Sequence, residues 1–192
     1  MQAQPRFFAA LSAAFASLLL SACMTLPDRA SGAFVERSLD IDGAPHRYQV
    51  FVPATKAGGR KPPVIVFLHG SGERGDDGAK PTAVGIGPYI RAHQDTFPAI
   101  VVFPQAPENS EWSGNLDLVF ATLDAATREF HGDAARTYLS GLSMGGYGVW
   151  DVALRAPDRF AALAPGARSR AARTGAGRST RASQFDSSTK RW

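Results

Sequence analysis

The sequence predicts an α/β fold, and three observations predict it. Val64 to Leu68 (VIVFL) and Ala99 to Phe103 (AIVVF) are uninterrupted apolar runs of strand length, as expected for parallel strands covered on both faces. Leu116, Val119, Phe120, Leu123 and Phe130 recur at helical spacing, which marks an amphipathic covering helix. Strand and helix patterns then alternate to the end of the body, with no internal repeat and no heptad array.

Taken in order, Phe34 to Ile41 and Arg47 to Val52 are short strand-like runs joined by Asp42-Gly43, a dipeptide favoured where a hairpin turn needs positive φ. They predict an antiparallel entry pair. The VIVFL and AIVVF runs predict the centre of the sheet. The covering helix has Asp117 in its first turn, with His131 and Gly132 at its end, where a histidine is a favourable charge partner and a glycine suits the left-handed cap. Tyr138 to Ser140 predicts a short strand, Met144 to Ala156 a helix stopped by Pro157, and Phe160 to Ala164 a further apolar strand. His46 and His93 carry no motif.

Composition excludes several classes. Apolar residues make up 44% and charged ones 20% of 192 residues, which is globular rather than disordered or fibrous. The single cysteine, Cys23, rules out an internal disulfide or a Cys-rich zinc module, and four scattered histidines form no ligand cluster, so no metal is expected. The net charge of +4 comes from residues 166–192, which hold seven Lys/Arg and one acid; the body before them is mildly acidic. That tail lacks interleaved aromatics and any recognition fold, so no nucleic-acid partner is expected.

Residues 1–22 read as an address. Phe7 to Leu20 is an uncharged run of fourteen residues after Arg6, short of the roughly 20 that a membrane-spanning helix needs. Leu20, Ser21, Ala22 and Cys23 resemble a bacterial lipobox, which implies acylation at Cys23, a membrane contact through that lipid anchor and a place in the bacterial cell envelope, periplasmic or extracellular. An ordinary signal peptide with an incidental cysteine is the alternative. Residues 23–33 read as a tether.

The chemistry gathers at one turn. Gly141-Leu142-Ser143-Met144-Gly145 falls between a predicted strand and a predicted helix, where a sharp turn strains the serine and glycines two residues away on either side avoid collision. Ser143 is the candidate nucleophile. The helix beginning at Met144 directs unpaired N–H groups and its dipole at charge developing there. His69-Gly70-Ser71-Gly72 follows the VIVFL strand, and the backbone N–H groups of Ser71 and Met144 are the candidate oxyanion-hole donors. His69 reads as a structural histidine rather than a general base, and His69, Gly70 and Trp112 are candidates for the substrate pocket. Trp112 suits either a pocket wall or a cap on the core. Glu73, Arg74, Asp76 and Asp77 read as a solvated or loop-bracing charge cluster, with direct contact to substrate as the alternative.

LHGSGERG at 68–75, FPQAPENSEW at 103–112 and LSGLSMGGYGVWDVALRAPDRFAALAP at 139–165 together resemble the α/β-hydrolase superfamily. The resemblance is greatest to its secreted esterase and predicted-peptidase branch, related to polyhydroxyalkanoate depolymerases, feruloyl-type esterases and the prolyl oligopeptidase catalytic domain. It covers residues 34–165. It implies a mostly parallel sheet with helices on both faces, a serine nucleophile at Ser143, no cofactor, and a small-molecule ester or acyl substrate.

Beyond Pro165 the pattern fails. The superfamily's triad runs Ser, then Asp or Glu, then His, yet all four histidines precede Ser143, and the acids after it are Asp151, Asp158 and Asp186. Residues 166–192 contain no Ile, Leu or Val, so the last strands of such a sheet are not expected from them. Their Arg, Ala, Ser and Gly bias resembles an out-of-frame reading of GC-rich DNA, and a frameshift near residue 166 is the expectation. A natural basic tail that binds an acidic surface, or a hydrolase completing its site from another chain, are the alternatives. Little activity is expected from the chain as written, and a non-catalytic lipoprotein that uses the scaffold for binding is the competing class.

Overall fold

A computed structural model of the chain describes residues 31–54 and 59–166. Cys23, the leader 1–22, most of the tether and the tail from 167 lie outside the described residues. The elements in chain order are β1 (Ala33–Ile41), β2 (Ala44–Val52), β3 (Pro63–Leu68), α1 (Gly87–Ala92), β4 (Ile100–Pro104), α2 (Leu116–Glu129), β5 (Asp133–Leu142), α3 (Met144–Arg155) and β6 (Ala162–Gly166).

The hairpin forms as Asp42-Gly43 predicts: both residues take positive φ, 52° and 80°, and Ile41 pairs with Ala44 across the two-residue turn. The six strands stand in the order β1-β2-β4-β3-β5-β6. β1 and β2 are antiparallel to their neighbours, whereas β4, β3, β5 and β6 run parallel. The apolar runs lie at the centre, as predicted.

This order fixes where the helices go. The chain steps from β3 to β4 in one direction, then reverses across β3 to β5 and on to β6. Right-handed crossovers before and after such a reversal fall on opposite faces of the sheet. Accordingly, α1 packs Ile90 against Phe51, Phe67, Val101 and Phe103 on one face. On the other, α2 and α3 cover Val50, Val66, Leu68 and Val102 with Val119, Leu123, Val149 and Val152. Alternation along each strand sends adjacent residues such as Val66 and Phe67 to the two layers.

Several boundaries differ from expectation. β5 spans ten residues rather than three: Thr137 to Gly141 pairs with Val64 to Leu68, and Asp133 pairs with Pro63 across a register shift that leaves Ala134 to Arg136 as an irregular stretch. The last strand begins at Ala162, two residues later than expected, after a 3-10 turn at Pro157–Arg159. α1 had no sequence signal of helical length. At the end of α2 the left-handed residue is His131, φ 53°, rather than Gly132, whose N–H closes the cap on Thr127 O at 2.9 Å. Gly132 is instead needed for close approach, since a Cβ there would lie 2.5 Å from Val64 Cγ2.

β6 forms one edge of the described sheet, and α3 beside it exposes Tyr147, Trp150 and Leu154. Among the described residues no helix is long and apolar enough to cross a membrane.

Candidate active site

In an open parallel sheet the chain leaves a crevice at the carboxyl ends of two adjacent strands whose connections run in opposite directions. Here those strands are β3, which feeds β4, and β5, which feeds β6. β3 is followed by His69-Gly70 and β5 by Ser143, and the two strand ends are paired through Leu68 and Gly141.

Ser143 is the residue before α3 and has φ 55° and ψ −115°, a left-handed conformation that costs a non-glycine residue about 1–3 kcal/mol. The turn tolerates no bulk around it. A Cβ on Gly141 would lie 2.2 Å from Gly145 O, and one on Gly145 2.0 Å from Leu68 O, so both glycines of the pattern are sterically required. Ser143 N–H is held by Gly166 O at 2.9 Å, and Ser143 O accepts from Gly146 N–H at 2.8 Å. Met144 opens the helix, so its N–H has no acceptor within the helix.

Gly70 meets the serine. A methyl group on it would lie 3.5 Å from Leu142 O and 3.6 Å from Ser143 Cβ. Ser71 follows, exposed, and opens a 3-10 turn, Ser71–Glu73. Ser143, Met144, Gly70 and Ser71 are thus brought to one corner.

His69 and Trp112 are not at the surface of that corner. His69 is fully buried; its Nε2 accepts the Ala106 N–H at 2.9 Å and its Nδ1 lies 2.6 Å from Gly70 O. An acceptor at Nε2 places the proton on Nδ1, so both nitrogens are committed and the imidazole is structural. Burial pushes its pKa below the ordinary histidine value, against a smaller opposing effect of the Gly70 carbonyl. Trp112, 1% exposed, caps the core: its Cβ fills the space left by Gly148 of α3, and Nε1 donates to His69 O at 3.0 Å. Neither side chain walls an open pocket, because each finds its partners inside.

The loop after β3 is bound along its length to the loop after β4, which sequence reasoning did not foresee. Gly75 N–H donates to Ala106 O at 3.0 Å. Buried Gln105 accepts from Gly78 N–H at 2.6 Å and donates to Glu73 O at 2.9 Å. Arg74 pairs with Glu111 and donates to Ser110 O. A buried glutamine directly after an apolar strand was the available signal. Burial works to raise the Asp77 carboxyl pKa, yet hydrogen bonds from the Lys80 and Ala79 N–H groups and the Lys80 ammonium outweigh it and hold the group below its ordinary value. Arg74 and Asp77 therefore brace the loop as expected.

A cavity of about 600 Å³ lies at the opposite end of the sheet, bordered by Val52, Phe97, Phe130 and Arg136. It holds none of the candidate residues, and the corner at Ser143, where the strained serine sits, is the better-supported site. Among the described residues no three His, Cys, Asp or Glu side chains cluster as metal ligands.

No family model matches the sequence. No curated protein matches it either. Solved structures do. A thermostable esterase shares 35% identity and superposes with a TM-score of 0.62 over 69% of this chain and 40% of its own. A fluorophosphonate-binding serine hydrolase, FphF, of Staphylococcus aureus gives 21% identity and a TM-score of 0.56, over 70% of this chain and 56% of its own. An S-formylglutathione hydrolase of Agrobacterium tumefaciens gives 23% and 0.53, over 70% and 57%. The chain spans about 40–57% of the length of these three structures. The likeness to these esterases and hydrolases, at 35% identity to the first of them, shows that the chain has an α/β-hydrolase fold.

Proposed function

We propose that the protein is a serine hydrolase of carboxylic esters or related acyl compounds, acting through an acyl-enzyme at Ser143. The observation that carries this reading is the strained backbone of Ser143 at the start of α3, φ 55° and ψ −115°, at the crevice where the sheet's connections diverge. The esterase similarity supports it. Ser143 Oγ attacks the substrate carbonyl, a base takes its proton, and the Met144 and Ser71 N–H groups hold the oxyanion. Collapse expels the alcohol, and water then releases the acid and restores the serine.

No base is assigned among the described residues. Histidines 46, 69, 93 and 131 all precede Ser143, and His69, nearest in the fold, has both ring nitrogens engaged. Without a triad histidine turnover falls on the order of 10⁶-fold, so a polypeptide that uses none of these four histidines as base depends on one supplied from outside. Added imidazole can take the base's place. The test is hydrolysis of a short-chain aryl ester with and without imidazole, corrected for the Ser143→Ala protein. An imidazole-stimulated rate that depends on Ser143 is expected. Absence of any Ser143-dependent rate under both conditions overturns the reading in favour of a scaffold that only binds.

We also propose that the protein is anchored by acylation of Cys23 on the periplasmic or outer side of a bacterial envelope, on the strength of the lipobox-like Leu20-Ser21-Ala22-Cys23. Metabolic palmitate labelling tests this. Label that survives Cys23→Ser overturns it.

A further inference from the structure

Glu73 lies one 3-10 turn beyond Gly70, and its backbone is fixed on both sides. Its N–H donates to Gly70 O at 3.3 Å, and its carbonyl accepts from Gln105 Nε2 at 2.9 Å. The side chain turns back toward the serine. A methyl group on Gly70 would lie 3.2 Å from Glu73 Oε2 and 3.6 Å from Ser143 Cβ, so the carboxylate and Ser143 flank a single point.

The cations of this loop are engaged elsewhere. Arg74 binds Glu111 and Ser110 O, and Lys80 binds Asp77 and Arg74 O. Among the described residues, the half-buried Glu73 carboxylate has no hydrogen-bond partner and no ion pair. α3 begins at the same corner, and the positive end of its dipole makes a negative charge tolerable there without supplying a counter-ion. A carboxylate held beside a crevice with no cation of its own attracts a cation from solution and repels an anion, more strongly where the walls exclude water.

We propose that Glu73 is a specificity-determining residue of the Ser143 site, favouring substrates whose acyl or leaving group carries an ammonium group and disfavouring those that carry a carboxylate. This rests on the reading of Ser143 as the nucleophile. It assigns to Glu73 a part that loop bracing does not require, since its side chain braces nothing among the described residues.

Arylboronic acids test it without turnover. Ser143 Oγ bonds to the trigonal boron, its proton passes to water, and the tetrahedral boronate is read by ¹¹B NMR. The full chain is titrated with 3-(aminomethyl)phenylboronic acid and with 3-carboxyphenylboronic acid. The amine is expected to bind about tenfold more tightly, the equivalent of ~1.4 kcal/mol. Glu73→Gln should bring the ratio close to one, and Glu73→Lys should invert it. A Ser143-dependent adduct whose ratio is the same in wild type, Glu73→Gln and Glu73→Lys overturns this inference alone. A tetrahedral signal that survives Ser143→Ala, or none in the wild type, overturns the reading of Ser143 and this inference with it.

Discussion

The His69 and Trp112 rings meet edge to face with centroids 4.9 Å apart, and the Trp112 indole N–H donates to the His69 carbonyl oxygen at 3.0 Å. This contact places the end of β3 against the loop after β4 and, through Gly148, against α3. Three segments converge on one side chain directly behind the corner that holds Ser143.

Trp112→Ala should therefore destabilise the fold by about 3–5 kcal/mol, as large-to-small changes at buried aromatics do. Trp112→Phe keeps most of the packing and loses the hydrogen bond, leaving the His69 carbonyl unpaired, for about 1–3 kcal/mol. Urea unfolding followed by fluorescence of the remaining tryptophans and by circular dichroism measures both. Equal losses for the two variants would mean that the hydrogen bond, not the packing, dominates.

Acid should weaken the fold through His69. Its folded pKa lies below the ordinary value near 6.5, so below that pH the unfolded chain binds a proton that the folded one refuses. The stabilisation is complete above about pH 6.5 and is lost as pH falls toward the folded pKa, at up to ~1.4 kcal/mol per pH unit. Imidazole ¹³C and ¹⁵N shifts should report the neutral Nδ1–H tautomer persisting below the pH at which an ordinary histidine is half protonated. Titration of His69 near 6.5 in the folded protein would contradict the buried acceptor role.

Relieving the strain at Ser143 should stabilise the protein. Ser143→Gly removes a Cβ from a left-handed backbone, and a gain of about 1 kcal/mol over Ser143→Ala is expected, since alanine keeps the strain. Thermal melts of the two variants give the comparison. Identical melting temperatures would show that the turn is not strained in solution.

Gly145→Ala should act in the opposite sense. Its Cβ would collide with the Leu68 carbonyl at 2.0 Å, backbone against backbone, so α3 has to move away from β3. The expected loss exceeds about 3 kcal/mol, the range of severe core overpacking. Cooperative unfolding within 1 kcal/mol of wild type would show that the helix can shift without cost.

What the sequence made legible follows the range of the forces involved. The Asp42-Gly43 hairpin and the turn around Ser143 depend on local backbone sterics, and both were readable residue by residue. The core strands announced themselves by apolar runs. The start of β5 did not, because only Asp133 pairs there, with Pro63 seventy residues earlier, and Ala134 to Arg136 fall in the register shift before Thr137. Gly132 looked like a cap and proved to be a packing contact for Val64, a partner that no local pattern names. The sequence left Glu73 undivided from its neighbours for the same reason. Among four charges in one loop, only the fold distinguishes the one that turns toward Ser143 from those that brace.

The segments 69–78 and 105–112 are joined by Gly75 to Ala106, Ala106 to His69, Gln105 to Gly78 and Glu73, Arg74 to Ser110 and Glu111, and Trp112 to His69. They form one mechanical part made from two stretches of chain. An engineer who grafts a new loop after β3 to alter the crevice will orphan the buried Gln105 amide and the Ala106 N–H unless the loop after β4 is exchanged with it. The unit of transplantation on this scaffold is the pair.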